Sequence, residues 1–256
     1  RKIRAIILNQ PAIVKPCREK VLQQENVYCV FNEEKIPAFS PEMLSEDYWL
    51  KHNAVTGSAQ GRGTTWFVSY QEQQWVLRHY YRGGLIGKFN KDSYWFSGQK
   101  NTRAAREFSL LLTLQQLGLP APEPVAYRVI RQGLFYRADL LSTRIADAED
   151  LVGILSRQHL SETVWMDIGA TIRRFHDHGI YHHDLNAHNI LLGKKNQVSL
   201  IDFDRGEQRQ VNTSWQQANI ERLLRSFRKE QAKIPGFCWQ PEHWQILLQG
   251  YRQQDS

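Results

Sequence analysis

Three oxygen-bearing side chains in the second half of the chain could carry chemistry together. Asp184 and Asn189 stand in the run His182-His183-Asp184-Leu185-Asn186-Ala187-His188-Asn189, and Asp202 follows in Leu200-Ile201-Asp202-Phe203-Asp204. Phosphoryl transfer to an alcohol uses such a set. One carboxylate takes the proton of the acceptor hydroxyl, while an amide oxygen and a second carboxylate hold a Mg²⁺ that bridges the phosphates. A lone Asp or Asn in a loop is ordinarily a turn former or a helix cap. The pattern HxDxxxxN with a hydrophobic-Asp-Phe run downstream is what points beyond that.

Such groups work only if other elements bring a nucleotide to them. The Gly-rich stretch 57–63 (GSAQGRG) precedes TTWFVSY (64–70) and QWVLRHY (74–80), two β-branched and aromatic runs that read as a hairpin joined through EQQ. Gly57, Gly61 and Gly63 would let backbone N–H groups approach phosphate oxygens without a Cβ clash; an ordinary flexible turn is the plainer alternative. Upstream, Ser40-Pro41 reads as N-cap and first turn of a helix reaching about His52. Segment 101–117 reads as a helix with Phe108, Leu111, Leu112 and Leu114 on its apolar positions, stopped by Gly118 with Pro120 beyond. VAYRVI (125–130) and LFYRADLL (134–141) form a second expected hairpin around Gln132-Gly133, and 142–150 is a connector.

Trp165, Ile168, Ile172 and Phe175 recur at helical steps, giving one buried stripe on a helix ending at Gly179. Two short runs, 180–192 and 197–204, carry the acidic set, and a last helix fills roughly 213–231. The order predicts an α+β chain of two lobes. Residues 1–141 would form an N-terminal extension with a β-rich nucleotide-binding lobe holding an antiparallel sheet and one helix. Residues 142–256 would form the connector and a mainly helical catalytic lobe.

Composition bounds the partners. The chain has 256 residues, 41% of them hydrophobic, with a net charge of +7. That balance attracts anions: nucleic acid, lipid head groups or phosphorylated molecules. Between Arg78 and Arg106 seven cationic residues face a single acid, Asp92. No nucleic-acid-binding motif accompanies the charge, so nucleic acid is not an expected partner. The three cysteines are too scattered for a disulfide framework or zinc site. No apolar run is long enough to span a bilayer, and the opening RKIRAIIL is too short for a signal peptide. Membrane contact is therefore expected to be peripheral.

H-x-D-x-x-x-x-N followed by Asp-Phe resembles the protein-kinase-like superfamily. The resemblance implies that Asp184 is the catalytic base, that Asn189 and Asp202 hold the metal, and that His182 is a structural pin. It also implies that Gly57, Gly61 and Gly63 cover the phosphates. The strand position of the superfamily's phosphate-binding lysine holds Arg78 here, in Trp75-Val76-Leu77-Arg78, with Glu107 as its partner on the helix; Lys88 is the alternative phosphate ligand. Asp204 replaces the glycine of D-F-G, and no A-P-E motif follows. Both departures point away from a regulated protein kinase and toward a small-molecule or glycolipid kinase.

As a set, GRGTTWFV, VLRHYYRGGLIGK, TRAAREF and YHHDLNAHNILL resemble the 3-deoxy-D-manno-octulosonic acid (Kdo) kinase family of Gram-negative bacteria. That resemblance implies ATP- and Mg²⁺-dependent phosphorylation of the 4-hydroxyl of Kdo on a lipid A precursor, in lipopolysaccharide inner-core synthesis. It further implies a peripheral enzyme on the cytoplasmic face of the inner membrane, meeting an anionic glycolipid and an anionic surface, with no obligate protein partner. The Gly-rich tract 82–88 is then a candidate flap that brings Arg82 and Lys88 to the acceptor, with a plain strand-to-helix loop as the alternative. Another kinase-fold enzyme, such as a heptose kinase or an antibiotic phosphotransferase, and a pseudokinase serving as a binding module are the competing readings.

Overall fold

A computed structural model describes residues 18–60, 64–81 and 92–253. Gly61, Gly63, Arg82 and Lys88 lie outside the described residues. The chain enters through a hairpin, β1 (Glu19–Gln24) and β2 (Val27–Asn32). The stretch read as one helix after Ser40 is two pieces. A 3-10 turn, Pro41–Leu44, breaks at the extended Ser45, and α1 (Glu46–Lys51) follows.

Next come β3 (Val55–Gln60), β4 (Thr64–Tyr70), β5 (Gln73–His79) and the short β6 (Tyr94–Trp95). Helix α2 (Arg103–Gln116) is capped by Thr102, whose hydroxyl accepts from the Ala105 N–H. The hairpin β7 (Pro124–Gln132) and β8 (Phe135–Thr143) turns at Gly133, where φ is +61°. These strands form one antiparallel sheet, ordered β1-β2-β7-β8-β5-β4-β3, with β6 pairing the far part of β8.

Alternation along the sheet decides what faces the site. On β5, Trp75 and Leu77 point to one side, into a core with Cys29, Ile36, Met43, Leu44, Trp49 and Leu141. The N-terminal segment roofs this side, and Trp49 is pinned there by its indole N–H donating to Met43 O at 2.7 Å. Val76 and Arg78, on the opposite side, are left to face the cleft. Each large side chain buried in that roof is worth about 1.5–3 kcal/mol, so the stable side of the sheet fixes the direction of its functional side.

Beyond the sheet lie β9 (Glu149–Asp150), α3 (Leu151–Leu155) and α4 (Glu162–Asp177). The stripe Val164, Trp165, Ile168, Ile172 and Phe175 is buried, as the spacing required. Then follow β10 (Ile180–Tyr181), β11 (Ile190–Leu192), β12 (Val198–Leu200) and β13 (Glu207–Gln208). Two helices complete the chain, α5 (Thr213–Lys233) and α6 (Pro241–Arg252). The latter was not anticipated: the helix over 213–231 is not the last. Helices α4 and α6 cross closely because both carry glycine there. A Cβ on Gly169 would run into Leu247 O, and one on Gly250 into Met166 O. The described residues thus form an α+β structure of one large antiparallel sheet and several helices.

Candidate active site

Asp184 lies in the loop between β10 and β11, and that loop is held from three sides. His182 is buried; its Nδ1 accepts from the Asp184 N–H at 3.2 Å, so its Nε2–H donates to Ile201 O at 2.9 Å. Burial pushes the imidazole below its usual pKa and keeps it neutral, as this donor–acceptor pattern requires. From below, α5 presents Asn219 and Ser226 along one face. The Asn219 amide donates to His182 O at 2.8 Å and accepts from the His182 N–H at 3.3 Å, while Ser226 Oγ accepts from the Ala187 N–H at 3.1 Å. From within, Asn186 and Asn189 both donate to Asp184 O, at 3.1 and 2.9 Å. The Asp184 carboxylate itself stays half exposed, with Arg222 Nη1 at 3.4 Å from Oδ1.

Arg78 joins the sheet to this loop. Its guanidinium pairs with Glu107 on α2 and with Asp202. Glu107 is buried and also accepts from the Tyr80 hydroxyl at 2.6 Å. Burial opposes the charge on Arg78, but the two carboxylates beside it hold its pKa above the ordinary value. Burial alone would push the Asp202 carboxyl up, yet the Arg78 guanidinium holds it below the usual carboxylate range. Asp202 sits at φ +61°, left-handed backbone that few non-glycine residues adopt; such strain persists where surrounding contacts over-determine it. Two residues on, Asp204 accepts from Arg103 Nε at 2.8 Å and from its Nη2, while Arg103 Nη1 donates to Tyr94. Helix α2 is therefore clamped to the Asp202–Asp204 segment through Arg103 and, by way of Arg78, through Glu107.

Two cavities meet at this junction. One, about 450 Å³, is walled by apolar side chains (Phe67, Val76, Leu140, Leu191, Ile201) and the connector at 142–145, with Glu107, Asn189 and Asp202 at one end. The other, about 370 Å³, is polar and lined by Thr64, Tyr81, His183, Asp184, Arg205 and Arg222. Thr65, Arg78 and Asp202 belong to both. A recess with apolar walls suits a nucleobase, and a basic, hydroxyl-lined one suits a polar anionic molecule. Asp184 opens onto the second.

The donor set fits a magnesium ion. Asp202 and Asn189 face the same cavity, and since Asn189 Nδ2 is spent on Asp184 O, no described residue donates to its Oδ1. Among the described residues no group of three or more His, Cys, Asp or Glu gathers as a metal site. Magnesium is commonly bound by one or two protein oxygens, with phosphate and water completing the shell.

The structure thus brings together Arg78, Glu107, Asp184, Asn189 and Asp202. It does not bring Gly57 to them: that residue lies inside β3, paired opposite Phe67, instead of in a turn, and Ala59 is the β3 residue on the cavity wall. The expected turn narrows because Ser58, Ala59 and Gln60 continue the ladder with β4. Asn219, Ser226, Arg103, Tyr80 and Arg222 were missed. Their only signal in the sequence is the 219/222/226 spacing, which puts three polar groups on one face of an otherwise amphipathic helix.

A sheet-borne Arg–Glu pair facing an Asp/Asn loop and a second Asp is the arrangement of a kinase-like α+β protein. Residues 46–251 match the pattern of the lipopolysaccharide kinase (Kdo/WaaP) family. The chain is 51% identical over 219 residues to the 3-deoxy-D-manno-octulosonic acid kinase of Vibrio parahaemolyticus serotype O3:K6, covering 86% of this chain and 91% of that protein. It is 46% identical to the same-named kinase of Photobacterium damsela subsp. piscicida, over 91% and 97% of the two chains, and 44% identical to that of Mannheimia succiniciproducens, over 90% and 98%. The chain belongs to the lipopolysaccharide kinase (Kdo/WaaP) family.

Proposed function

We propose that this protein transfers the γ-phosphate of ATP to the 4-hydroxyl of a Kdo residue on lipid A precursor, in lipopolysaccharide inner-core synthesis. The observation that carries the reading is the meeting of an apolar cavity and a basic polar one at Arg78 and Asp202, with Asp184 on the polar side. ATP lies with its base in the apolar slot and its phosphates at Arg78. The acceptor hydroxyl approaches Asp184, its oxygen bonds to the γ-phosphorus as the β,γ-bridging bond breaks, ADP leaves, and Asp184 takes the proton. Magnesium, held by Asp202 and Asn189, would supply charge neutralisation at the β- and γ-phosphates. Arg78 and Glu107 position the phosphates, and His182 and Asn219 hold the base in place.

On this reading the sheet with α2 (within 1–141) is a nucleotide-binding lobe and 142–256 a catalytic lobe. The surplus of +7 favours an anionic glycolipid and an anionic leaflet. Among the described residues no helix is long and apolar enough to cross a membrane, which suits peripheral attachment to the cytoplasmic face of the inner membrane.

The test is incubation with ATP, Mg²⁺ and a Kdo-bearing lipid A precursor, locating the new phosphate by mass spectrometry and NMR. Phosphate at the 4-position is expected, and Asp184→Asn should lose roughly 10²–10⁴-fold in kcat while still binding ATP. Transfer to a heptose acceptor instead, or undiminished activity in the variant, would overturn the assignment.

A further inference from the structure

The polar cavity holds two arginines that its carboxylates do not tie up in close ion pairs. Four guanidinium groups line it: Arg78, Arg103, Arg205 and Arg222. Arg78 is taken up by Glu107 and Asp202, and Arg103 by Asp204 and Tyr94. Arg222 has only the 3.4 Å contact with Asp184, and no described residue pairs with Arg205. Counting Glu107, four carboxylates stand against the four guanidinium groups, but only Arg78 and Arg103 are closely paired, which leaves Arg205 and Arg222 open to a ligand's anion. His183 adds no charge of its own: burial, with Arg205 and Arg222 beside it, pulls its pKa down and favours the neutral ring.

The two arginines are carried by backbone that adjoins the site. Arg205 stands in the tight turn closed by the Gly206 N–H on Phe203 O at 2.8 Å, with φ +59°, directly after the Asp202–Asp204 segment. Arg222 projects from α5, the helix whose Asn219 and Ser226 fasten the catalytic loop. Thr64, Thr65 and Tyr81 add hydroxyls to the same walls. Two guanidinium groups without close partners in a recess, rimmed by hydroxyls, match a carboxylate attached to a polyhydroxylated ring.

We propose that Arg205 and Arg222 form the subsite for the acceptor's carboxylate. This rests on the sugar-acid acceptor proposed above and explains its regiochemistry. In a 3-deoxy-2-ulosonic acid the carboxylate lies a few bonds from the 4-hydroxyl and farther from the hydroxyls of the side chain. Anchoring it beside Asp184 brings the 4-hydroxyl toward the base and keeps the side-chain hydroxyls farther from it. A neutral core sugar has nothing to offer this pair, so the subsite also discriminates between acceptor classes. A phosphate shares the same recognition chemistry, and the test separates the two.

Initial rates are compared for a Kdo glycoside with a free carboxylate and for its carboxamide, using the unaltered protein, Arg205→Gln, Arg205→Lys and Arg222→Gln. The carboxamide should raise the acceptor KM about 10- to 100-fold in the unaltered protein. Arg205→Gln should raise it by a similar factor for the carboxylate and add little for the carboxamide, with the KM for ATP unchanged as the control for folding. Arg205→Lys should recover part of the loss. Arg222→Gln should show the same KM pattern with a further fall in kcat, because Arg222 also touches the base. Equal use of both acceptors by the unaltered protein, or an equal rise in the KM for ATP, defeats the carboxylate subsite alone. If the unaltered protein turns over neither acceptor, the proposed function fails and the subsite with it.

Discussion

Arg103 forks onto both carboxylate oxygens of Asp204, across a sequence separation that no local pattern spans. The aspartate that replaces the glycine of a D-F-G motif is therefore a structural partner. It fastens α2, and with it Glu107, to the segment that carries Asp202. The pair is mostly buried, with 13% and 20% of the side chains exposed, so its geometry is better protected from solvent than a surface bridge.

Removing either member should loosen that clamp. Arg103→Ala and Asp204→Ala are each expected to cost roughly 1.5–3 kcal/mol, read as a fall in Tm of several degrees, and to lower kcat at least tenfold by loosening α2 from the segment that carries Asp202. The double variant should lose no more than the worse single one. Independent, additive losses would show that the two side chains do not act as a unit.

Asn219 satisfies both backbone groups of His182 from inside the core, where it is 1% exposed. Asn219→Ala leaves a buried N–H and C=O unpaired, at about 1–3 kcal/mol each. It also removes the partner of His176 Nε2, whose ring burial holds at a pKa of about 4. Steady-state kinetics should show a fall in kcat with the KM for ATP nearly unchanged, because the loop that carries Asp184 shifts while the nucleotide cavity does not. A selective rise in the KM for ATP would contradict this.

His79 supplies a pH dependence. Its Nδ1 lies 2.7 Å from Asp139 and its Nε2 3.3 Å from Asp92, with Arg128 and Arg137 on those carboxylates and Tyr81 against the ring. Burial disfavours the imidazolium, but Asp139 and then Asp92 outweigh it and raise the pKa. A raised folded value means the native state binds the proton more tightly. The stabilisation is therefore complete below the unfolded value of about 6.5 and disappears as pH rises through the folded value. Tm measured from pH 6 to 9 should fall more steeply for the unaltered protein than for His79→Gln; parallel curves would refute the assignment.

At the α4–α6 crossing, Gly250→Ala would drive a methyl group against Met166 O. Overpacking of this kind costs about 1–3 kcal/mol, and here the obstacle is backbone, which cannot rotate away. Thermal melts should show a clear loss, while Gly236→Ala, whose Cβ meets nothing within 4 Å but sits at φ +75°, reports backbone strain alone. A smaller loss at 250 than at 236 would mean that the helices separate freely.

The elements around the site were legible where side-chain type and spacing act locally. The hairpin of β4 and β5, the stripe on α4, and the stop of α2 follow from periodicity and Gly118. The β1–β2 hairpin escaped because β1 is almost wholly exposed and β2 is buried over four consecutive residues, so neither alternates. Helix α6 carries Trp244, Leu247 and Tyr251 at helical steps, but Gly250 reads as a weakness in a helix until the backbone of α4 is seen against it. Within the site, Asp184, Asn189 and Asp202 share a motif. Arg103 owes its place to a contact between distant segments, and for Asn219 and Arg222 the spacing gives a shared helix face but not what that face meets.

Thr65, Arg78 and Asp202 form a seam common to two chambers. Under the proposed function, donor and recipient would be resident simultaneously, each in its own compartment, and the phosphoryl group would cross directly without first being parked on the enzyme. Double-reciprocal plots for such a ternary complex intersect instead of running parallel.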